Sequence, residues 1–372
     1  MPTALVTGGA GFVGAHLVDA LLNRGDRVRV LDNLDPQAHE GARAAFLNPE
    51  AELVTGDLRD RAAVARALDG VELVFHQGGM VGNGQSMYEL HRYVDVNAGG
   101  TAILVEEVLR RRDRVRRLVA ASSMVVYGEG AYRCVEHGEV APGLRADADL
   151  AARRWDPCCP RCGEAVEAVP TAEDRPLHPT SAYAISKRDS EELVLVAGRA
   201  HGVETVALRY LNIYGPQQAL SNPYTGVAAI FCTRLLNGRR PLLFEDGQQR
   251  RDLVHVSDVV RANLLAAEST AAVGHAINVG TGASLTITEL ALTLARHLGR
   301  ADQEPELSGA YRAGDIRHCW ADLGLARRLL GFEAIADRDV ELHRLAEWVT
   351  TQRPADRTDE ATAELRSRGL IR

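Results

Sequence analysis

The sequence predicts an α/β fold with a doubly wound parallel sheet, a smaller C-terminal region and a cysteine-bearing insertion. Three observations lead to this prediction. Short β-like runs alternate with single helical patterns through the first 130 residues, a glycine-rich segment follows the first run, and residues 131–172 break the alternation. Strands separated by single helices are typical of parallel sheets that carry helices on both faces. With 46% hydrophobic residues among 372, the chain can bury such a sheet.

The alternation predicts the individual elements. The predicted strands are Thr3 to Thr7, Arg27 to Leu31, Glu52 to Thr55, Leu73 to His76 and Leu118 to Ala121. The predicted helices between them are Val13 to Leu22, Arg61 to Leu68 and Ala102 to Arg111. A long helix that begins near Ala182 leads to another strand, Thr205 to Tyr210. An amphipathic helix over Asp339 to Trp348 precedes a charged tail, which we expect to be loose at its end.

The overall composition excludes several classes of protein. The formal net charge of −7 disfavours a general nucleic-acid coat, so we expect no nucleic-acid partner. No run approaches the roughly 18 apolar residues that a membrane span needs. The first seven residues enter a strand without a basic segment or a cleavage site. The sequence therefore predicts a cytoplasmic protein without a membrane partner.

A glycine-rich segment lies between the first predicted strand and the first predicted helix. It reads Thr7-Gly8-Gly9-Ala10-Gly11-Phe12-Val13-Gly14. Glycines at this point permit a tight turn and let backbone N–H groups approach a pyrophosphate at the positive end of the helix. A purely structural glycine turn is the alternative. The strand before the segment and the helix after it favour a dinucleotide site.

Asp32 closes the second predicted strand, 18 residues after Gly14. A carboxylate at this position accepts hydrogen bonds from both hydroxyls of the adenosine ribose and repels a 2′-phosphate. The following residues, Asn33-Leu34-Asp35, supply no arginine to hold that phosphate. The sequence therefore predicts NAD as the cofactor in preference to NADP.

Tyr183 and Lys187 are four residues apart, so they share one face of a helix. Lys187 is the only lysine among 43 basic residues, which marks a site where a guanidinium cannot replace an ammonium. We expect its charge to favour the phenolate and to lower the pKa of Tyr183. Ser123 follows a predicted strand, at the carboxyl edge of the sheet where ligands bind. A surface pair and a strand-end serine are the alternatives without function.

With these motifs in place, the chain resembles the extended short-chain dehydrogenase/reductases that act on nucleotide-diphosphate sugars. The resemblance covers nearly the whole chain except the insertion, and one departure is a Gly78-Gly79 pair where the family more often has alanines. The further motifs that match in order are Gly56-Asp57-Leu58, His76-Gln77-Gly78-Gly79, Asn97-x-x-Gly100-Thr101, Arg209-Tyr210-Leu211-Asn212-x-Tyr214-Gly215-Pro216, Arg251-Asp252-Leu253-Val254-His255-Val256-x-Asp258-Val259, Asn278-Val279-Gly280 and Arg312-x-Gly314-Asp315.

The resemblance implies a role for each matched residue. The catalytic residues would be Ser123, Tyr183 and Lys187, with Tyr183 as the acid/base at the 4-hydroxyl of the sugar. The substrate contacts would be Ser123, Asn212, Arg251 and Arg312, and arginine forks suit phosphate oxygens. For the two arginines alone, a surface salt bridge is the alternative. The NAD contacts would be Gly8, Gly11, Phe12, Val13, Gly14, Asp32, Asn33, Asp57, Leu58, Gly78, Gly79, Asn97, Tyr183, Lys187 and Leu211.

The resemblance also implies how the chain is divided and assembled. Residues 1–211 would form a Rossmann domain that binds NAD and carries the insertion at 131–172. Residues 212–372 would bind the nucleotide sugar, with about 253–279 returning to the sheet. The family tends to form dimers through two helices per subunit, here the segments Thr101 to Arg111 and Ala182 to Gly198.

The two residues after Ser123 decide between the reactions of the family. Related 4,6-dehydratases carry an acidic pair there and related decarboxylases carry a glutamate nearby, whereas this chain has Met124 and Val125. Neither side chain transfers a proton, so the resemblance implies a 4-epimerase of a UDP- or dTDP-hexose, with dTDP-6-deoxyhexoses included. A reductase or dehydrogenase of a nucleotide-linked sugar is the alternative enzyme. A catalytically idle NAD-sensing protein is the alternative from another class.

The insertion contains four candidate metal ligands. Cys134 and His137 form one C-x2-H pair, and Cys159 and Cys162 form a C-x2-C pair, with 21 residues between the two pairs. Two such pairs match the layout of a zinc ribbon, in which four S/N ligands close a tetrahedron. Free thiols in a mobile loop and a redox pair are the alternatives. The sequence therefore predicts a structural zinc, with Cys158 as a bystander.

Overall fold

A seven-stranded parallel sheet forms the centre of the fold. The computed structural model describes residues 2–39 and 44–372. The main sheet has the order β13-β9-β5-β4-β1-β2-β3, and every neighbouring pair is parallel. The predicted parallel sheet is confirmed. The described strands are, in chain order, β1 (Thr3–Thr7), β2 (Arg27–Asp32), β3 (Glu52–Thr55), β4 (Leu73–His76), β5 (Arg117–Ser123), β6 (Ala131–Cys134), β7 (Gly138–Val140), β8 (Glu167–Val169), β9 (Glu204–Tyr210), β10 (Asn212–Tyr214), β11 (Leu242–Leu243), β12 (Arg250–His255), β13 (Ala276–Val279), β14 (Ser284–Thr286), β15 (Glu306–Leu307) and β16 (His318–Cys319).

Helices cover both faces of this sheet. A wide π-helical turn, Val94–Gly99, joins the helix that ends at Tyr93 to the helix that begins at Gly100, and a 3-10 turn, Met124–Tyr127, follows β5. None of the described helices is long and apolar enough to cross a membrane. The described helices are α1 (Phe12–Asn23), α2 (Arg61–Ala67), α3 (Asn83–Ser86), α4 (Leu90–Tyr93), α5 (Gly100–Leu109), α6 (Asp147–Ala151), α7 (Ala182–His201), α8 (Val227–Leu236), α9 (Val256–Glu268), α10 (Ile287–His297), α11 (Gly324–Leu330), α12 (Arg338–Thr350) and α13 (Thr358–Ser367).

The alternation of side chains along a strand builds two cores from one sheet. In β1, Ala4 and Val6 enter the core that contains α1, α9 and α11. Leu5, between them, enters the core that contains α2 and α5. Successive side chains of a strand point to opposite faces, so a strand buried on both faces is apolar throughout. This is why the sequence of β1 is a short continuous apolar run.

The C-terminal region has its own core and its own small sheet. The helices α8, α10 and α12 pack together with β10 and β12. In the small sheet, β12 pairs with β10 and β14 and also with β16. The chain returns to the main sheet at β13, which pairs with β9. The helix that connects β12 to β13, α9, packs against α1.

The insertion contains a three-stranded antiparallel sheet, which the break in the alternation over residues 131–172 did not reveal. The strand order is β7-β6-β8. These strands are only three or four residues long, so their alternation is too short to recognise among charged neighbours. A small core of Tyr132, Val140, Cys134 and Cys159 lies within this sheet.

The charged tail is folded, which corrects the expectation that its end is loose. It forms α13, in which Leu365 is buried. The last residues then pair with the segment at Tyr311, because Tyr311 N–H donates to the carbonyl of Arg372 at 2.9 Å and Arg372 N–H donates back at 3.0 Å. Ile371 is buried beside this pairing. Only two buried apolar residues, Leu365 and Ile371, anchor this segment. So few apolar residues are hard to recognise in a charged sequence.

Candidate active site

A cavity of about 1340 Å³ lies at the carboxyl ends of the strands at the centre of the main sheet. Ligands of open α/β sheets bind at this edge. The cavity also extends along the C-terminal region, which supplies its opposite wall. The predicted site residues that line it are Gly8, Gly11, Phe12, Val13, Gly14, Asp32, Asn33, Asp57, Leu58, Gly78, Gly79, Ser123, Tyr183, Lys187, Leu211 and Asn212.

The glycine-rich segment turns directly from β1 into α1. Gly8 has a φ of +65°, a conformation that side chains rarely adopt. A Cβ atom at Gly14 would lie 2.1 Å from the carbonyl oxygen of Gly8, so the helix packs against the turn only if this residue is glycine. Because α1 begins at Phe12, its unpaired N–H groups and positive dipole end face the cavity. Such an arrangement of N–H groups is able to bind a phosphate group.

Asp32 holds the glycine-rich segment from the end of β2. Its Oδ2 accepts a hydrogen bond from Ala10 N–H at 3.1 Å, and its Oδ1 accepts one from Leu34 N–H at 2.9 Å. Each carboxylate oxygen retains a lone pair for a further donor. The carboxylate therefore fixes the turn and still presents acceptors to the cavity.

Two arginines that sequence reasoning missed lie near this end of the cavity. Arg59 and Arg92 both line it, and both are paired with acids. Arg59 contacts Asp57 and Asp95 at 2.9 Å, while Arg92 contacts acids of its own. The hydrogen bond from Arg59 lowers the pKa of Asp57 to about 2, although burial opposes this. Neither guanidinium is an unpaired cation for a 2′-phosphate.

The three predicted catalytic residues meet in the same cavity. Ser181 caps the start of α7 by accepting a hydrogen bond from Ala184 N–H at 3.1 Å, which places Tyr183 in the first turn. Ser123 ends β5 and lines the same cavity as Tyr183. Lys187 lies one turn further along α7, and its ammonium donates to the carbonyl of Ala121.

The protein alone does not lower the pKa of Tyr183, contrary to our expectation. Burial raises this pKa to about 12, and the hydrogen bond from Ser123 opposes the rise only in part. Burial also lowers the pKa of Lys187 to about 8, against the charge of Glu191. Burial has the largest effect on the pKa of both Tyr183 and Lys187. The ammonium of Lys187 is directed at the carbonyl of Ala121.

A buried acid supports Lys187, and the sequence analysis did not identify it. Glu191 follows Lys187 by one turn of α7 and pairs with Arg209 at 2.7 Å, both side chains being buried. It also accepts a hydrogen bond from the hydroxyl of Ser122 at 2.6 Å. The regular spacing of Tyr183, Lys187 and Glu191 along one helix face was the available signal. Glu191 is thus a positioning residue that joins α7 to β5 and β9.

Asn97 lies behind the cavity wall and does not line it. Its Oδ1 accepts a hydrogen bond from Met80 N–H at 2.7 Å. Its Nδ2 donates to the carbonyl of Met80 at 3.1 Å and to the hydroxyl of Ser186 at 2.9 Å. All of these partners are protein groups. Asn97 therefore connects the segment at Met80, which lines the cavity, to Ser186 of α7.

The predicted substrate residues occupy two different environments. Asn212 lines the cavity, and its buried Oδ1 has no hydrogen-bond partner among residues 2–39 and 44–372. The two arginines do not line it and are bound to protein groups. Arg251 donates to the carbonyls of Ile316 at 2.7 Å and Arg317 at 2.9 Å. Arg312 donates to Asp315 at 2.8 Å.

The insertion brings the four predicted metal ligands into one cluster. The ligand atoms of Cys134, His137, Cys159 and Cys162 all lie within 4.8 Å of one another. Cys134 Sγ is 3.7 Å from His137 Nδ1 and 3.7 Å from Cys162 Sγ. Cys159 Sγ is also 3.7 Å from His137 Nδ1. Cys158 is exposed and lies outside the cluster.

Comparison with known proteins decides the family. The pattern of the NAD dependent epimerase/dehydratase family matches residues 4–143 and 160–280. The chain belongs to the NAD-dependent epimerase/dehydratase family. The gap in the match falls inside the insertion, so the insertion is the part of this chain that departs most from the common family pattern.

Members of the NAD-dependent epimerase/dehydratase family resemble this chain along nearly its whole length. The dTDP-L-rhamnose 4-epimerase of Burkholderia thailandensis is 34% identical over 353 residues, which are 94% of this chain and 95% of the relative. The structure of UDP-glucose 4-epimerase from Thermotoga maritima with UDP-glucose is 30% identical, with a TM-score of 0.76 over 94% of this chain and 99% of that one. The UDP-glucose 4-epimerase of Thermus thermophilus in complex with NAD is 30% identical, with a TM-score of 0.73 over 94% and 99%.

Proposed function

We propose that this chain is an NAD-dependent 4-epimerase of nucleotide-diphosphate sugars. One observation carries the proposal. One cavity is lined by Ser123, Tyr183 and Lys187. It is also lined by Met124 and Val125, the two residues that follow Ser123 in the chain. The site thus holds one acid/base centre, and the positions after Ser123 add no second one.

The chain's own residues account for the two halves of an epimerisation. Bound NAD would supply the hydride acceptor for C4 of the sugar. Tyr183 removes the proton from the 4-hydroxyl and Ser123 hydrogen-bonds the same oxygen, while Lys187 holds α7 against β5 by donating to the carbonyl of Ala121. After the 4-keto sugar turns over, Tyr183 returns the proton to the 4-oxygen, and the reduced cofactor would supply the hydride to the opposite face of C4. C4 is then inverted.

The size of the cavity suits this rotation. Ligand pockets are commonly about 300–1000 Å³, whereas this cavity measures about 1340 Å³. It therefore has space for a dinucleotide together with a sugar that changes its orientation. The named relatives act on UDP- and dTDP-hexoses, and we propose the same substrate class here, dTDP-6-deoxyhexoses included.

The test of the proposed function is to incubate the purified protein with a panel of UDP- and dTDP-sugars. We expect nuclear magnetic resonance to show at least one pair of C4 epimers reaching equilibrium without added NAD. Stoichiometric consumption of NADH would instead identify a reductase. No turnover of any sugar by NAD-loaded protein would contradict catalysis.

Asp32 should make the protein select NAD over NADP. Its carboxylate would face a 2′-phosphate, and the nearby Arg59 and Arg92 are already paired with acids. We expect NADP to bind at least tenfold more weakly, which corresponds to about 1.4 kcal/mol. Asp32→Ala should narrow this difference. Calorimetry with both cofactors checks the prediction, and equal affinities for the unaltered protein would contradict it.

We also propose that the cysteine cluster holds a structural zinc ion. With Zn–S bonds of about 2.3 Å and Zn–N bonds of about 2.0 Å, a tetrahedron has S–S edges of about 3.8 Å and S–N edges of about 3.6 Å. The three edges of 3.7 Å in the cluster fit these values. Four protein ligands complete the tetrahedron, so such a zinc would stabilise the fold of the insertion rather than bind substrate.

We propose that two copies of the chain associate through α5 and α7, which pack side by side. The exposed apolar side chains Ile185, Leu193 and Val196 lie along α7, and the exposed Val94 precedes α5. A second copy would remove these groups from water. Val196→Glu should then produce a monomer in sedimentation experiments, and an unaltered protein that is already monomeric would contradict the proposal.

The cytoplasmic location of the protein stays a prediction.

A further inference from the structure

One wall of the cavity carries side-chain amides whose oxygen atoms are unpaired. Gln217 and Gln218 line the cavity together with Asn212. The Oδ1 atom of Asn212 and the Oε1 atoms of both glutamines are buried, and none of them has a hydrogen-bond partner among residues 2–39 and 44–372. Gln218 as a whole is only 6% exposed. Burial of an unpaired acceptor is unfavourable, so these oxygen atoms indicate a place where a ligand supplies a donor.

The main sheet places this wall next to Ser123. The strand β9 is a neighbour of β5, and Tyr210 at the end of β9 is the register partner of Ser123 at the end of β5. Asn212 follows Tyr210 by two residues and begins β10. The chain therefore leaves the main sheet beside Ser123 and carries Asn212 and then the two glutamines into the cavity wall.

The loop that carries the two glutamines is held by contacts on both sides. Nε2 of Gln218 donates to the carbonyl of Ile213 at 3.4 Å, which keeps this amide beside the start of β10. A Cβ atom at Gly226 would lie 3.0 Å from the same Nε2 atom, so the amide packs directly on the main chain there. On the other side, His16 of α1 donates to the carbonyl of Pro216 at 3.1 Å. Because the protein uses the Nε2 atom, Oε1 is the group that Gln218 offers to a ligand.

Gln217 adopts a backbone conformation that favours glycine. Its φ is +69°, and a residue with a side chain carries an unfavourable conformational energy in this region. Its Oε1 atom is nevertheless buried in the cavity wall. Strained residues cluster at ligand sites, which agrees with a contact between this side chain and a ligand.

The chemistry of the amide oxygens selects the kind of ligand group. An amide oxygen only accepts hydrogen bonds, so it disfavours a phosphate or a carboxylate, whose oxygens are acceptors too. The neutral donors of a nucleotide sugar are the hydroxyl groups of its sugars and the ring N–H of its base. Because the wall lies beside Ser123, the hydroxyl groups of the reacting hexose are favoured over the base.

We propose that Gln217 and Gln218 are specificity-determining residues that accept hydrogen bonds from hydroxyl groups of the hexose. The inference rests on the proposed function and names the contacts that orient the hexose within that site. The protein then prefers a hexose that has these hydroxyl groups over an analogue that lacks one of them, since the analogue leaves a buried acceptor unpaired.

The test measures the binding of UDP-glucose, dTDP-glucose, UDP and dTDP to NAD-loaded protein by calorimetric titration. We expect Gln218→Leu to bind the two nucleotide sugars about tenfold more weakly and to bind UDP and dTDP like the unaltered protein. Monodeoxy forms of UDP-glucose identify the hydroxyl group, because the variant should lose no further affinity for the form that lacks it. Equal weakening of the nucleotide sugars and the free nucleotides would place the acceptor at the nucleotide and overturn the inference.

Gln249→Leu is the matched control. Gln249 is also 6% exposed, and its Oε1 atom has no partner within the described part of the chain. Its Nε2 atom donates to the carbonyl of Phe244 at 3.0 Å, but it is not among the described residues that line the cavity. The control therefore repeats the loss of a buried amide and should bind all of the compounds normally. A similar loss of affinity for the nucleotide sugars in this control would show a general effect on the fold and overturn the inference.

Gln217→Gly separates a lost contact from a lost fold. Glycine accepts the φ of +69°, so this variant should keep its melting temperature while it loses the acceptor. We expect weaker binding of UDP-glucose and dTDP-glucose with unchanged NAD content. Loss of NAD would place the side chain at the cofactor and overturn the inference.

The remaining outcomes distinguish the inference from the proposed function. Normal affinity of both glutamine variants for both nucleotide sugars would overturn the inference while the proposed function stands. A protein that binds these nucleotide sugars but epimerises no sugar would overturn the proposed function, and the affinities of the variants would still test the two glutamines. An unaltered protein that binds neither UDP-glucose nor dTDP-glucose would overturn the inference, which requires a hexose site.

Discussion

Tyr183→Phe should lower the turnover of the enzyme at least a hundredfold without changing its fold. The substitution removes one oxygen atom from a side chain that lines the cavity together with Ser123 and Lys187. Loss of a positioned acid/base group typically costs 10²–10⁴-fold. The measurement is kcat for the epimerised sugar, with NAD content and the circular dichroism spectrum recorded alongside. Tyr88→Phe is the matched control, since within residues 2–39 and 44–372 its hydroxyl bonds only to that of Tyr224, and it should keep nearly full activity.

Lys187→Arg should cause a comparable loss, measured at pH 7. At this pH both side chains are charged, since the pKa of Lys187 is lowered by burial only to about 8. A lower turnover of Lys187→Arg would therefore reflect the different shape of the side chain and not a loss of its charge. The compact ammonium donates to the carbonyl of Ala121 inside the wall, where a planar guanidinium fork does not fit the same contacts. Rates like those of the unaltered protein in either variant would mean that the chemical centre is elsewhere.

The core of the fold and the acid/base centre could be predicted because both depend on local patterns. The run Ala4-Leu5-Val6 contains the information for a strand buried on two faces, and the glycines after it are required by the turn that they make. Tyr183 and Lys187 share a helix face through their spacing alone. Ser123 needed only the expectation that a strand ends beside it. None of these inferences required a contact between distant segments.

The features that could not be predicted depend on such distant contacts. Asn97 lies in a matching motif, yet its amide is used by the backbone of Met80. Arg251 and Arg312 gain their partners from a segment around Asp315 whose conformation no local pattern reveals. The helix of the C-terminal tail depends on burial of Leu365, one apolar residue in a charged sequence. Tertiary contacts therefore decide the orientation of side chains whose identity the sequence already indicates.

Cys159→Ser should remove the metal from the protein and unfold the insertion locally. The insertion has a small core of Tyr132 and Val140 with two of the cysteines, so it lacks enough apolar area to remain folded without further bonds. Against the effect of burial, the nearby backbone amides of Arg161 and Cys162 lower the pKa of Cys159 to about 6, whereas, against the effect of the backbone amide of Glu164, burial and the neighbouring thiols raise the pKa of Cys162 to about 11. A thiolate ligand is thus available at neutral pH.

Elemental analysis and limited proteolysis measure the two consequences separately. Protein purified without a chelator should contain about one zinc per chain, because its four ligands form one tetrahedral site, and Cys159→Ser should contain none. Residues 131–172 should then become sensitive to protease while the main sheet stays protected. Cys158→Ser is the matched control, because Cys158 is the adjacent cysteine but lies outside the cluster, and it should retain both the zinc and the protection. Metal-free protein whose insertion resists protease as well as the unaltered protein would show that the small core is sufficient and would refute the site.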